Sequence, residues 1–339
     1  MKPTWCLSFV FLLGAAAALP AQTPEDSRRR FEEIKVQAEL GDAKAQCNLG
    51  VCYFKGDGVR KDLAEAVKWY RKAAEQGNPK AQFNLGVRTE KGEGAPRDVV
   101  EAVKWYRKAA EQGHAGAQCS LGFCYDRGEG VPRDPEEAAK WYRKAAEQGE
   151  PNAQCDLGNC FKEGLGVVKD PVEAVKWYRK AAENGSGQAQ YNLGVCHHNG
   201  EGLATDAAEA AKWFQKAAGQ GLVDAQRGLA LPYARGDGLE KDMGMAARWY
   251  REAADQGDAV SQRNLGIFYG VGDVVAKDDV QAYMWLILAR AQGDDLAGPL
   301  LTSLGQRLTP KQIAQADALA KVFKPHKTLQ PGESPLGNR

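Results

Sequence analysis

Tryptophan recurs along this chain with a fixed period. It stands at Trp69, Trp105, Trp141, Trp177, Trp213, Trp249 and Trp285, each 36 residues after the last. The surrounding words recur too. Glu65-Ala66-Val67-Lys68-Trp69-Tyr70-Arg71-Lys72-Ala73-Ala74-Glu75-Gln76-Gly77 returns almost unchanged around Trp105, Trp141 and Trp177. A constant period of roughly 20–50 residues marks a solenoid, in which each unit hides its apolar face against its neighbours. The 339 residues would otherwise suggest two or three separate domains. Seven uninterrupted periods instead predict one all-α array of antiparallel helix pairs.

Each period reads as two helices. In the first, Asp42 can cap helix A, which carries Ala45, Leu49, Cys52 and Tyr53 at helical spacing. Gly56-Asp57-Gly58 should end it, because glycine accepts the left-handed backbone of a helix terminus. Asp62 then caps helix B, with Glu65 placed to complete a capping box. The pair recurs as Asp98/Glu101, Asp134/Glu137, Asp170/Glu173 and Asp206/Glu209. Helix B should bury Ala66, Trp69, Tyr70, Ala73 and Ala74, leaving Lys68, Arg71, Lys72 and Glu75 as a solvated face. Gly50 recurs as Gly86, Gly122, Gly158, Gly194 and Gly266. Glycine inside a helix costs about 1 kcal/mol relative to alanine, so its recurrence predicts close helix–helix approach.

The unit Ala-Gln-x-Asn-Leu-Gly-x-x-Tyr, Gly-x-Gly-Val, Asp-x-x-Glu-Ala-x-Lys-Trp-Tyr-x-Lys-Ala-Ala-x-Gln-Gly is clear at Ala45 to Gly77 and Ala81 to Gly113. It resembles the Sel-one-like repeat (SLR), a relative of the tetratricopeptide repeat with a longer, Gly-rich turn. The resemblance covers residues 41–297 as seven repeats. It implies a right-handed superhelical solenoid of paired helices that serves as an adaptor or scaffold for protein complexes.

The flanks complete the array. Residues 22–40 read as a linker and a partial capping helix from Phe31 to Leu40. Residues 298–323 read as C-terminal capping helices: Leu296 to Leu308 resembles a last helix A, and Thr309-Pro310-Lys311-Gln312 opens a final helix. A tail over 324–339, with Pro325, Pro331 and Pro335, is expected to be disordered. Residues 1–21 read as a signal peptide, with Lys2, an apolar run from Trp5 to Leu19, and cleavage near Ala18 or Ala21. The protein is therefore expected to be secreted or periplasmic, with no transmembrane segment once the leader is removed. Lys plus Arg is 45 against 44 for Asp plus Glu. That balance gives no long-range pull toward nucleic acid or anionic lipid.

Chemistry-bearing patterns are few. Cys47/Cys52, Cys119/Cys124 and Cys155/Cys160 are spaced five apart on helix A, and Cys196 stands alone. Five residues turn a helix by about 140°, so no such pair closes on itself. A bridge between stacked helices, such as Cys124 to Cys155, is one reading; small buried positions, filled elsewhere by Phe83, Tyr191 or Phe268, are the other. Cys196-His197-His198 invites a metal reading, but no second cluster supplies further ligands, and two solvated imidazoles at a helix end are expected. The Gly-x-Gly turns follow helices and lack a Gly-Lys-Ser/Thr completion, so they read as turns, not phosphate loops. Some cysteine-rich SLR proteins are described as penicillin-binding or β-lactamase-like. Here Ser120, Ser261 and Ser303 are followed three residues later by Phe123, Asn264 and Gln306, so no Ser-x-x-Lys is present. Neither an enzyme nor a cofactor is implied.

A binding surface remains. In related repeats helix A lines the groove, which would present Asn48, Asn84, Ser120, Asp156 and Asn192, with Lys55, Lys91, Arg127, Glu163 and Asn199 further along. Asparagine can bond an extended peptide through donor and acceptor together; it can also be a structural residue of the repeat. Mixed signs in the second row point to a polar groove. Repeat six departs from the pattern, with Gly228, Ala230 and Pro232 in helix A and Gly244 and Met245 in helix B. Pro232 and Gly244 mark it as a candidate hinge. The expected function is an exported scaffold for an unknown protein or peptide partner, with a cell-wall glycan or peptide binder as the alternative and a hydrolase as a remote third.

Overall fold

The computed structural model describes residues 23–325. The expected leader, Cys6, His326 and all but the first two residues of the expected tail lie outside the described residues. Seventeen helices and no strand occur among the described residues. They are α1 Pro24–Glu39, α2 Ala43–Lys55, α3 Leu63–Glu75, α4 Pro79–Lys91, α5 Val99–Glu111, α6 Ala115–Arg127, α7 Pro135–Glu147, α8 Pro151–Glu163 and α9 Pro171–Glu183. There follow α10 Gly187–Asn199, α11 Ala207–Gly219, α12 Val223–Arg235, α13 Met243–Asp255, α14 Ala259–Val271, α15 Asp279–Ala291, α16 Ala297–Gly305 and α17 Pro310–Val322. The chain forms two compact units, one ending at Lys108 and one beginning at Ala109, within α5. In the first unit α1, α2, α3 and α4 pack in sequence; in the second, each helix from α6 to α15 packs on the next, and α16 and α17 both pack on α15.

The capping signals read from sequence are made, with one difference. Asp42, Asn78, Ser186 and Asp258 each accept a backbone N–H in the first turn of their helix A. His114 does the same for α6 through Nδ1, at 3.2 Å. Asp62, Asp98, Asp134, Asp170 and Asp206 cap the B helices. The glutamates three residues on do not reach back, so the expected reciprocal box is only half made. Glu65, Glu137, Glu173 and Glu209 hold Lys68, Lys140, Lys176 and Lys212, and Glu101 accepts from Arg71 Nη1 at 2.9 Å. Full boxes occur at the two caps, Thr23/Asp26 in α1 and Thr309/Gln312 in α17. Thr23 and Pro24 start α1 seven residues before Phe31, so the N-terminal cap is a whole helix.

Leu49 and Leu85 in the first unit, and Leu121, Leu157, Leu193, Leu229 and Leu265 in the second, are fully buried. The recurrent helix-A glycine packs on an aromatic ring, or in repeat seven on Leu286: a Cβ on Gly158 would lie 2.6 Å from Tyr178, one on Gly50 2.7 Å from Tyr70, and one on Gly266 3.0 Å from Leu286. Lysines expected to be solvated are exposed, and their ammonium groups also stack on the tryptophan three residues before them. Lys72 lies 4.2 Å from the centre of Trp69, Lys144 3.9 Å from Trp141 and Lys216 3.8 Å from Trp213, a geometry in which the ring quadrupole attracts the cation.

The second glycine of each turn touches the preceding repeat. Gly94 and Gly166 have φ of +79° and +67°, and a Cβ there would lie 2.1 Å from the carbonyl oxygen of Leu63 and 2.0 Å from that of Pro135. These two turns thus sit directly on the first turn of the previous helix B, within one unit each. Repeat seven has Val274 at this position. No non-glycine residue described has a positive φ, so its turn follows a different path.

A second inter-helix device has no counterpart among the sequence expectations. A glutamine near the start of each helix A is buried, at Gln46, Gln82, Gln118, Gln154, Gln190, Gln226 and Gln262. Gln154 Nε2 donates to the Ala146 carbonyl at 3.1 Å, and its Oε1 accepts from Asn184 Nδ2 at 3.1 Å. Gln190 and Gln262 make the same two bonds, to Ala182 and Gln220 and to Ala254 and Gln292. In the second unit these amides, with that of Gln118, therefore fasten helix A to the C-terminal ends of the B helices on both sides. Gln154→Leu keeps the volume but removes both bonds, leaving the Ala146 carbonyl with its bond from the Gly149 N–H and the exposed Asn184 amide to solvent. It is expected to cost about 1–2 kcal/mol in urea unfolding; an unchanged midpoint would show that these bonds contribute nothing net.

Helix α12 runs unbroken through the buried Pro232 and ends on a left-handed Gly236, like its counterparts. Gly244 sits in the first turn of α13, where Asp242 provides the cap. The proline still removes one helical N–H, and Gly228 and Gly244 loosen the backbone. Amide exchange is therefore expected to be faster across residues 223–255 than across 151–183; equal protection would discard repeat six as a hinge.

Candidate functional site

The residues expected to line a groove lie on one face of the A helices. Asn48 and Asn84 in the first unit, and Ser120, Asp156 and Asn192 in the second, are half-buried. Lys55 and Lys91, and Arg127, Glu163 and Asn199, are exposed one turn or two further on. Between these rows runs a third that the sequence pattern had not singled out. It comprises Val51 and Val87 in the first unit, and Phe123, Asn159, Val195, Leu231 and Ile267 in the second, all half-buried or exposed. The signal was present, since these positions repeat with the same period of 36.

The asparagines are partly occupied inside the protein. Asn192 Nδ2 donates to Asn159 Oδ1 at 3.2 Å and to Cys155 Sγ at 3.6 Å, and Asn192 Oδ1 accepts from Gln188 Nε2 at 3.2 Å. Asn84 hydrogen-bonds the Cys47 thiol in the same way. The row thus has a structural use: its amides tie one helix A to the thiol of the helix A before it.

Asp156 stands in this row but has no N–H to give. Among the described residues its carboxyl has no hydrogen-bond or ion-pair partner. Enclosure by protein pushes its pKa up to about 7 from 3.8; Asp126 and Glu150 add repulsion, and Arg127 opposes it. Glu150, the residue that precedes α8, makes no side-chain cap bond and is also raised by burial.

The cysteines are packing residues. Cys155 is a free thiol, so the bridge to Cys124 is not formed. The helices stack in register: the α6 thiol on which Cys155 acts is Cys119, at the matching position 36 residues back. Burial raises the thiols of Cys47, Cys119 and Cys155, that of Cys160 to about 12 and that of Cys196 to about 11. Since the thiolate is the nucleophile, such groups are poor reactants. His197 is buried instead of solvated, because it takes the inward position held by Tyr53 and Phe161 in other repeats, while His198 is exposed. Burial lowers the His197 pKa. No group of three or more His, Cys, Asp or Glu among the described residues could hold a metal ion, and no described helix is long and apolar enough to cross a membrane.

The Sel1 repeat family model matches residues 43–78, 79–114, 115–150, 151–186, 187–222, 223–258 and 259–294. The chain belongs to the Sel1 repeat family. A Sel1 repeat protein from Oxalobacter formigenes is similar in structure, with a TM-score of 0.64 and 40% identity over 68% of this chain and 92% of that one. The secretory immunoglobulin A-binding protein EsiB of Escherichia coli is 49% identical over 43 residues, 13% of this chain and 9% of that protein. The DAP3-binding cell death enhancer 1 of Rattus norvegicus is 40% identical over 48 residues, 14% of this chain and 9% of that protein. The Sel1 chain thus spans less than a tenth of the length of these curated relatives. Sel1 repeat proteins mediate protein–protein interaction, and the family is generally non-catalytic.

Proposed function

We propose that this Sel1 protein is an exported adaptor of the bacterial envelope or extracellular space that holds a protein or peptide partner on the exposed face of its A helices. The observation that carries this is the three-row face itself. A part-exposed row, apolar in every repeat but the one with Asn159, lies between two polar ones at a period of 36 residues, which suits an extended chain with alternating anchors. The immunoglobulin A-binding name of EsiB is in keeping with a protein partner. Lys2, the apolar run from Trp5 to Leu19 and the small residues after it support export. The high thiol pKa values and the absence of Ser-x-x-Lys argue for binding without catalysis.

The test is retention of envelope proteins on the immobilised chain, compared with a Val195→Lys/Leu231→Lys variant. Partners held by the parent and released by the variant are the expected result. Identical retention by both, or retention of purified peptidoglycan alone, would overturn the reading. Fractionation of cells producing the tagged chain tests export, which a wholly cytoplasmic signal would refute.

A further inference from the structure

We infer that Asp156 and the exposed ring of Phe123 form a receptor for one cationic side chain, lysine or arginine, of a bound peptide. This rests on the adaptor reading above. The register of the array places the two groups together. Asp156 holds in α8 the position that Asn192 holds in α10, and Asn192 reaches Asn159 and Cys155. The α6 counterparts of those two, 36 residues earlier, are Phe123 and Cys119. Asp156 is accordingly the first of the charged groups acting on the Cys119 thiol. Phe123 is 39% exposed and is the one aromatic side chain among the exposed large hydrophobic residues described.

The carboxyl is not needed by the repeat. The other six place Asn48, Asn84, Ser120, Asn192, Gly228 and Asn264 there, all uncharged. A part-buried carboxylate with no partner is unfavourable, and it is relieved by a proton or by the arrival of a positive charge. The field around it is already negative. Asp126 and Glu150 act on Asp156 with the same sign, and Arg127 is the opposing cation. Arg127 does not bond Asp156; it lies over the Phe123 ring, 5.6 Å from its centre. That contact shows the ring to be one on which a guanidinium rests. A ligand cation beside it would gain an ion pair with Asp156 and the attraction of the ring together. A neutral or acidic side chain would gain neither.

The experiment uses the purified full chain and pools of acetylated, amidated nonapeptides, randomised except for a central Lys, Arg, norleucine, Gln or Glu, read by fluorescence anisotropy. The Lys and Arg pools are expected to bind about tenfold more tightly than the norleucine and Glu pools. Asp156→Asn, which restores the residue of other repeats, should abolish that preference and keep the weak binding of the neutral pools. Asp156→Ser, the residue of repeat three, should do the same and guards against one variant misfolding. Phe123→Leu should reduce the preference without removing it. Equal binding of all pools by the parent, or a preference surviving in both Asp156 variants, would overturn the receptor and leave the adaptor standing. No binding of any pool would overturn both.

Discussion

Gly166→Ala should unfold at much lower urea than the parent. The new Cβ would lie 2.0 Å from the Pro135 carbonyl oxygen, 2.3 Å from its carbon and 2.6 Å from the Glu136 nitrogen. These are backbone atoms on the first turn of α7, and no side chain can swing aside to relieve them. The residue must also hold φ at +67°, which costs an alanine about 1 kcal/mol by itself. Relief requires the turn to lift off α7, opening the junction between repeats three and four. The expected loss is about 3–5 kcal/mol. Gly185→Ala supplies the control. Its φ is +88°, yet nothing lies within 4 Å of its added Cβ, so only the left-handed cost of about 1 kcal/mol applies. A Gly166→Ala loss no larger than that of Gly185→Ala would mean that the close approach does not matter.

Asp156→Asn should change how stability depends on pH. The folded carboxyl titrates at about 7 and the unfolded one near 3.8. Between those values the folded chain holds a proton that the unfolded chain has released. Folding then takes up a proton, so the contribution of Asp156 is fully present below about pH 4 and is lost as pH rises through 7. The shift corresponds to at most about 4 kcal/mol, and solvent contact at the carboxyl lowers this to about 2 kcal/mol. The asparagine variant should match the parent near pH 4 and exceed its stability by about that amount at pH 8. Denaturation at both pH values checks it; parallel curves for the two proteins would refute the raised carboxyl.

Much of the fold was readable because local signals repeat. Asp62, Gly56 and Trp69 each act within one helix or one turn, and their recurrence multiplies a weak signal seven times. The close approach at Gly50 was legible for the same reason, since glycine inside a helix weakens it unless a neighbour needs the space. What escaped depends on partners distant in sequence. Gln154 is ordinary on a helix surface until its bonds to Ala146 and Asn184 are seen. Asn192 reads as an open groove residue until Cys155 and Asn159 claim its amide. Asp156 is a groove residue by position alone. Only the enclosure around it, and the bonds its asparagine counterparts make, distinguish it. The Cys124–Cys155 pairing fails because helical spacing carries no register: matching positions face each other across stacked helices.

The buried glutamine bears on how such a chain can lengthen or shorten. Its two bonds reach back eight residues and forward thirty, so each clamp straddles one full period and belongs to no single repeat. Removing 36 consecutive residues anywhere in the interior rejoins a donor with an equivalent acceptor. Removing 18 leaves a buried amide facing nothing. Hydrogen bonding thus favours array lengths in whole periods, and recombination between repeats can sample new lengths, and new spacings of the proposed binding face, with its clamps still made.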